Sequence, residues 1–229
     1  VSSVPPQGQV VAIAHRAGNN LSNLERAKAI GVDLVELDVW LHRGRLEVRH
    51  ARSVGLLPLL RENWRPLPGW GRRLELDAVI EAAGSDMQLM VDLKSESLCL
   101  SEAVASAFDR ALPGKAYAVT TREWWLLEPF EGCKHVCLIP SAAWADELSA
   151  LKPLLGERYH TLSLHISLVE RPLIQELASR GVSVYVWPVN SFAELDRVFT
   201  AGVKGINSDS LSLLGRVVAD YNHPLRSNP

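Results

Sequence analysis

Short runs of β-branched and aliphatic residues recur along the chain, and each is followed by a stretch whose apolar residues repeat at helical spacing. The strand-like runs are residues 10–15 (VVAIAH), 33–40 (DLVELDVW), 88–94 (QLMVDLK), 116–121 (AYAVTT), 134–140 (KHVCLIP), 159–166 (YHTLSLHI), 182–189 (VSVYVWPV) and 203–208 (VKGINS). Near-continuous apolar content suits strands covered on both faces, as in a parallel sheet. Between them, residues 22–30 open with Ser22 and Glu25 at capping-box spacing, and residues 191–201 repeat the device with Ser191 and Glu194. Gly31, Gly181 and Gly202 each stand where a helix C-cap is expected. Eight strands, each leading to a helix, predict an α/β chain closed as a TIM (β/α)8 barrel. An open doubly wound sheet would call for a Gly-rich phosphate loop after the first strand, and none is there.

One segment breaks the alternation. After the second strand come residues 45–50 (RLEVRH) and then 51–73, rich in Leu, Pro, Arg and Trp, before a helix over 74–83. We read 51–73 as a short insertion on the second βα loop, on the face where such barrels carry their active sites. No linker composition occurs elsewhere, so residues 1–229 are expected to form one domain.

Composition narrows the partners. The chain has 229 residues, 47% hydrophobic and 22% charged, with 24 Lys+Arg against 26 Asp+Glu. That is a globular balance, and a net charge of −2 argues against wrapping nucleic acid by bulk electrostatics. No stretch approaches the ~18 consecutive apolar residues of a membrane span. The start, VSSVPPQGQ, has neither a basic nor an apolar signal region, so a cytoplasmic protein is expected, and a monomer. Three cysteines, Cys99, Cys133 and Cys137, are too few for a disulfide framework. Cys133, His135 and Cys137 alternate as metal ligands can, but core packing of the thiols is the better reading because no second ligand pair is spaced for zinc.

The candidate chemistry lies at strand ends. In Val35-Glu36-Leu37-Asp38-Val39 the acids are two apart, so both face the same way, into the barrel mouth. Carboxylates in an apolar strand need cations, supplied either by Arg and Lys at a wet strand end or by a hard divalent metal. Asp92 and Lys94 repeat the geometry on the third strand, as a third metal ligand beside an anion contact or as a plain ion pair. His15 and Arg16 end the first strand, and His50 ends the extra strand after the second. A lone terminal His is more often capped or solvated than catalytic; here all these groups converge on one end of the barrel. His165, near the end of the sixth strand, is better read as a core or solvated residue than as a substrate contact.

The run from Ala14 to His50, AHRAGNNLSNLERAKAIGVDLVELDVWLHRGRLEVRH, resembles the glycerophosphodiester phosphodiesterase family: a strand ending His-Arg, a helix, Glu-x-Asp-Val, a hairpin and a second His. Later matches follow in order, at Asp92-Leu93-Lys94, Trp187-Pro188-Val189-Asn190 and Gly205-Ile206-Asn207-Ser208-Asp209. The resemblance implies that His15 and His50 are the acid and base and that Arg16 binds phosphate. It implies that Glu36, Asp38 and Asp92 hold one Mg²⁺ or Ca²⁺, that Lys94 contacts the phosphate or orders the ligands, and that Trp187 contacts substrate. Three departures mark this chain. Ala17-Gly18-Asn19 replaces the family's Pro-Glu-Asn, Ala51 stands where an Asp normally follows the second His, and Asp92 replaces a Glu, as in the similar sphingomyelinase D-type phospholipases.

The expected activity is metal-dependent hydrolysis of a glycerophosphodiester. The alternatives are a lysophospholipase D-like enzyme and, given Ala51, a weakened phosphodiester-binding protein. The lipid alternative has its own signal. Residues 43–73 carry eight Arg against two Glu, together with Leu56, Leu57, Leu59, Leu60, Trp64 and Trp70. A basic loop bearing Leu and Trp suits an anionic head group with an apolar tail, or transient contact with a lipid surface. All seven tryptophans, Trp40, Trp64, Trp70, Trp124, Trp125, Trp144 and Trp187, are expected at or near the mouth, about half of them as packing residues.

Overall fold

The structure, a computed structural model, describes residues 10–53, 59–62, 65–68, 73–94 and 97–221. In chain order the elements are β1 (Val11–Ala14), α1 (Leu21–Ile30), β2 (Leu34–His42), β3 (Arg45–Val48), β4 (Arg52–Ser53), β5 (Leu59–Glu62), β6 (Arg65–Pro68), α2 (Leu76–Ala83), β7 (Gln88–Leu93) and α3 (Leu98–Ala111). They continue with β8 (Tyr117–Thr121), β9 (Val136–Ala142), α4 (Ala145–Leu151), β10 (Thr161–His165), α5 (Arg171–Ser179), β11 (Ser183–Trp187), α6 (Phe192–Ala201), β12 (Gly205–Ser208) and α7 (Leu211–Tyr221). The sheet runs β1-β12-β11-β10-β9-β8-β7-β2 and closes by pairing β1 with β2; β3 is added antiparallel on β2. The result is the expected eight-stranded parallel barrel. Between β8 and β9 a 3-10 helix, Trp124–Phe130, takes the place of an α-helix. Pro129 inside it supplies no backbone donor.

The period of two along each strand divides the core. Val35, Leu37, Val39, Val91 and Leu93 pack outward under the helices, while Val11, Ile13, Leu34, Met90, Ala118, Ile139 and Tyr185 fill the barrel interior. The inner rows are uneven in size, and the chain compensates locally. A Cβ on Gly205 would fall 2.3 Å from the Tyr185 ring, so glycine lets that ring lie across the barrel floor. Followed toward the carboxyl ends, the same inward rows change from apolar to acidic: Leu34 leads to Glu36 and Asp38, and Met90 to Asp92.

One detail differs from the sequence reading. The N-cap of α1 is Asn20, whose side-chain oxygen accepts from the backbone N–H of Ser22 (2.9 Å) and Asn23 (3.3 Å). Asn is as good a cap as Ser, and its extended backbone places the cap two residues earlier than the Ser22–Glu25 pair suggested. The Ser191–Glu194 box on α6 forms as expected, with Ser191 accepting from the Glu194 N–H and Glu194 accepting from the Ser191 N–H. The insertion contains a small antiparallel sheet, β4-β5-β6. Trp64 and Trp70 lie outside the described residues. Among the described residues no helix is long and apolar enough to cross a membrane.

Candidate active site

β2 and β7 are neighbours, and their register sets Asp38 beside Asp92. With Glu36 one inward step below, the three residues each present a carboxylate oxygen within 4.8 Å of the others. Glu36 and Asp38 are almost fully buried, at 2% and 1% exposed. Lys94, just beyond β7, reaches back with its Nζ 3.0 Å from Asp38 Oδ1 and in close contact with Asp92 Oδ2.

The turn after β1 completes the enclosure. Arg16 adopts a left-handed backbone (φ 52°), uncommon for a residue with a side chain and a form of local strain that concentrates at functional sites. That conformation aims its N–H at Glu36 Oε2 (2.5 Å) and brings its Nε within 3.6 Å of Asp38 Oδ2. Asn19 grips Asp38 twice, donating from Nδ2 to Oδ2 (2.6 Å) and accepting from the Asp38 N–H at Oδ1 (2.9 Å). Gly18 makes this approach possible, since a Cβ there would lie 2.7 Å from Leu37 Cβ.

Burial pushes the Glu36 carboxyl well above the usual carboxylate range, and the charges of Asp38 and Asp92 push the same way. Burial also raises Asp92, where Lys94 offsets part of the effect. At Asp38 burial is outweighed by Lys94 and Asn19, so that carboxyl is held low. Burial disfavours the Lys94 charge, but the three acids overcome it and hold the ammonium above its ordinary range. Three acids thus face two cations, Lys94 and Arg16. An all-oxygen donor set with excess negative charge fits a hard divalent ion.

His15, one residue past β1, hydrogen-bonds through Nδ1 to Asp209 Oδ1 (2.8 Å). Asp209 is held in turn by Asn190, which donates from Nδ2 to Oδ2 (2.8 Å) and accepts the Asp209 N–H at Oδ1 (2.9 Å). The hydrogen bond from His15 brings the Asp209 carboxyl down to about 2. His50 follows Arg49, whose N–H extends the β2–β3 ladder to Asp38 O (2.9 Å). The charge of His50 favours ionised Asp38, and that of His15 favours ionised Asp92. His15 follows the strand paired with β2, and His50 follows the residue bonded to Asp38, so both stand beside the strand that carries Glu36 and Asp38. Trp187 ends β11 with its ring edge-on to His165 (5.0 Å), and among the described residues its buried indole N–H has no acceptor. The Thr120 hydroxyl, on β8 in register with Asp92, is likewise buried and without a partner among the described residues. Unsatisfied polar atoms at a strand end are groups a ligand can complete.

No protein-family model matches the chain, and no curated protein sequence matches it. Solved structures do. A Silicibacter pomeroyi protein assigned as a glycerophosphoryl diester phosphodiesterase superposes with a TM-score of 0.77 at 18% identity, covering 95% of each chain. A Thermotoga maritima glycerophosphodiester phosphodiesterase gives 0.72 at 17% identity, over 91% of this chain and 98% of its own. An Oleispira antarctica phosphodiesterase, solved in complex with the product sn-glycerol-3-phosphate, gives 0.75 at 16% identity, over 96% and 98%. The chain has the glycerophosphodiester phosphodiesterase fold. At these identities the likeness carries the fold, and the chemistry rests on the side chains.

Within that fold the sequence-derived residues Glu36, Asp38, Asp92, Lys94 and Arg16 form one contiguous cluster, with His15 and His50 bordering it. Trp187 stands at the mouth against His165 and has no contact with the acids among the described interactions. His165 itself engages Ser167 Oγ at 2.7 Å and caps a 3-10 helix. Asn19, Thr120, Asn190 and Asp209 were given no role from sequence, although Asn190 and Asp209 close the last two matching motifs. The alternating Cys133, His135 and Cys137 form no metal cluster among the described residues. His135 and Cys137 instead line a cavity of about 880 Å³ at the opposite, amino-terminal end of the barrel, among Val11, Asp33, His160 and Tyr185.

Proposed function

We propose that this chain is a metal-dependent phosphodiesterase that hydrolyses glycerophosphodiesters to an alcohol and glycerol phosphate. The observation that carries this reading is the buried Glu36–Asp38–Asp92 cluster, braced by Lys94 and Arg16 and bordered by His15 and His50. The Oleispira antarctica phosphodiesterase of the same fold, with its bound sn-glycerol-3-phosphate, supports the substrate class.

A phosphodiester is anionic and repels nucleophiles, and its alkoxide is a poor leaving group. Mg²⁺ or Ca²⁺ held by Glu36, Asp38 and Asp92 would supply Lewis-acid polarisation of a phosphoryl oxygen. Arg16 and Lys94 stabilise the remaining negative charge as the P–O bond to the leaving group breaks. One imidazole takes a proton from the attacking water, and the other delivers a proton to the departing alkoxide oxygen. Asp209, kept ionised, can only accept, so Nδ1 of His15 carries the hydrogen and Nε2 is the nitrogen that exchanges protons.

One observation favours lysophospholipids as a second substrate. The exposed large apolar residues among the described ones are Leu21, Leu98, Trp125, Trp144 and Phe192. Each sits at the N-cap or first turn of the helix, or in the 3-10 helix, that follows a barrel strand, at the mouth end of the fold. Such a rim suits a ligand with an apolar tail. Turnover of glycerophosphocholine and lysophosphatidylcholine, each with Mg²⁺, with Ca²⁺ and with chelator, tests both readings. Chelator-insensitive turnover would overturn the metal-dependent mechanism, and turnover of lysophosphatidylcholine alone would make the lipid the substrate.

A further inference from the structure

We propose that Arg49 is the positioning residue of His50, clamping the backbone on both sides of that imidazole in place of an acidic neighbour. The inference rests on His50 acting in the reaction proposed above. Residue 51 is an alanine, 6% exposed, and offers no side-chain acceptor to the preceding histidine. The guanidinium of Arg49 occupies that neighbourhood instead. Its Nε donates to Glu47 Oε2 at 2.7 Å, and its Nη1 donates to the backbone carbonyl of Ala51. Its Cζ lies over the Trp40 ring, 5.3 Å from the centroid. One fork thus ties a side chain two residues before Arg49 to a carbonyl two residues after it. The Arg49 N–H is fixed separately to Asp38 O. His50 lies between these two anchors, on a backbone tied directly to the strand that carries the acids.

Arg49 and Glu47 are each only 8% exposed. A buried ion pair of this kind recovers little net stability after desolvation, so specifying position is the better account of its presence. Lysine could keep the charge opposite Glu47 but cannot present two donors in one plane.

The test compares Arg49→Lys with the intact chain, using glycerophosphocholine with Mg²⁺ and amide hydrogen exchange. Loss of the clamp should lower kcat about 10–100-fold with KM within about 2-fold, because a misplacement on the order of 1 Å can cost that much. In a His50→Ala background the same substitution should change kcat by less than about 2-fold, since the residue acts through His50. Exchange at residues 48–51 should accelerate while the barrel strands keep their protection. Arg49→Met combined with Glu47→Gln repeats the test without a buried lone charge. Unchanged kcat in Arg49→Lys, an equal loss in the His50→Ala background, or unaltered exchange at 48–51 would each overturn the proposal. If the intact chain or His50→Ala shows that His50 has no part in turnover, it is the functional reading that fails, and the exchange measurement still decides whether Arg49 holds this backbone.

Discussion

His15 and Asp209 meet at 2.8 Å across the seam where the first and last barrel strands pair. Ala14 is in register with Ser208, and the His15 N–H donates to Ser208 O at 2.9 Å, so the two side chains extend the ladder by one step. Asn190 fixes which way the carboxylate points. An amide at position 209 would have to turn its oxygen to Asn190 Nδ2 and its NH₂ toward His15. That arrangement favours the wrong tautomer, with the ring hydrogen on Nε2. We therefore expect Asp209→Asn to lower kcat about 10–100-fold, and His15→Ala about 10²–10⁴-fold, with KM little changed. Steady-state kinetics and the ¹⁵N chemical shifts of His15 check this. A variant with the original tautomer and full kcat would remove Asp209 from the mechanism.

The crowding of acids makes a second prediction, on pH. Glu36 and Asp92 bind protons more tightly when folded than when unfolded. Wherever the native state holds more protons, stability falls as pH rises. Their contribution is therefore complete below the ordinary carboxylate pKa and is lost as pH climbs through the raised values. Metal-free protein should melt at a higher temperature near pH 5 than near pH 7, and Glu36→Gln should flatten that slope and raise the melting temperature at neutral pH. Calorimetry in chelator measures both, and a melting temperature that rises from pH 5 to 7 would contradict the assignment.

Adding a divalent ion should have the opposite effect to adding a proton. An ion that binds only the folded state stabilises by mass action, about 2.7 kcal/mol at a hundredfold excess over Kd. Mg²⁺ or Ca²⁺ should raise the melting temperature of the intact protein at pH 7. Asp38→Asn, which removes a ligand yet keeps the shape that Asn19 grips, should abolish the rise. An undiminished rise in that variant would place the ion elsewhere.

The barrel was legible because its evidence is repetitive. Eight apolar runs survive errors of a residue or two, as at β9, which starts at Val136 where the pattern suggested 134. The acids were legible for a related reason: a two-residue spacing in an apolar strand fixes their common face whatever the register. Asp92 joining them depends on β7 pairing with β2, which the order of strands in a barrel dictates. What could not be read are contacts that depend on loop conformation. Asn20 rather than Ser22 caps α1 because of the turn at Arg16, and Asn19 reaches Asp38 by that same turn. Arg49 read as one more positive charge in a basic stretch. Only its burial against Trp40 and Glu47 shows it folded back on its own backbone.

Gly18 offers a check on that turn. A methyl group there would need Leu37 Cβ to move from 2.7 Å, and Glu36 O from 3.1 Å. Both belong to the strand that holds Glu36 and Asp38. Gly18→Ala should cost roughly 1–3 kcal/mol, as overpacking of a filled site does, and should lower activity by displacing the acids. Denaturant melts and kinetics on one preparation test it, and an alanine variant of normal stability and activity would mean that the turn shifts freely.

The last prediction separates a soluble head group from a lipid. Trp144 is 63% exposed, the most open of the apolar residues at the mouth end. It precedes α4, where Glu147 Oε2 accepts the backbone N–H of Ala143 (2.6 Å) and of Trp144 itself (3.1 Å). That cap depends on backbone donors and survives removal of the indole, so Trp144→Ala should fold normally. If the rim meets an apolar tail, the loss of buried aromatic surface should raise KM for lysophosphatidylcholine by about 10-fold or more, since burying a large side chain contributes roughly 1.5–3 kcal/mol. Glycerophosphocholine has no tail, and its kinetics should stay within about 2-fold. Because each exposed residue covers only part of the rim, Trp125→Ala and Phe192→Ala should give smaller losses in the same direction. Equal effects on both substrates would reduce these side chains to ordinary surface residues and leave glycerophosphodiesters as the substrate class.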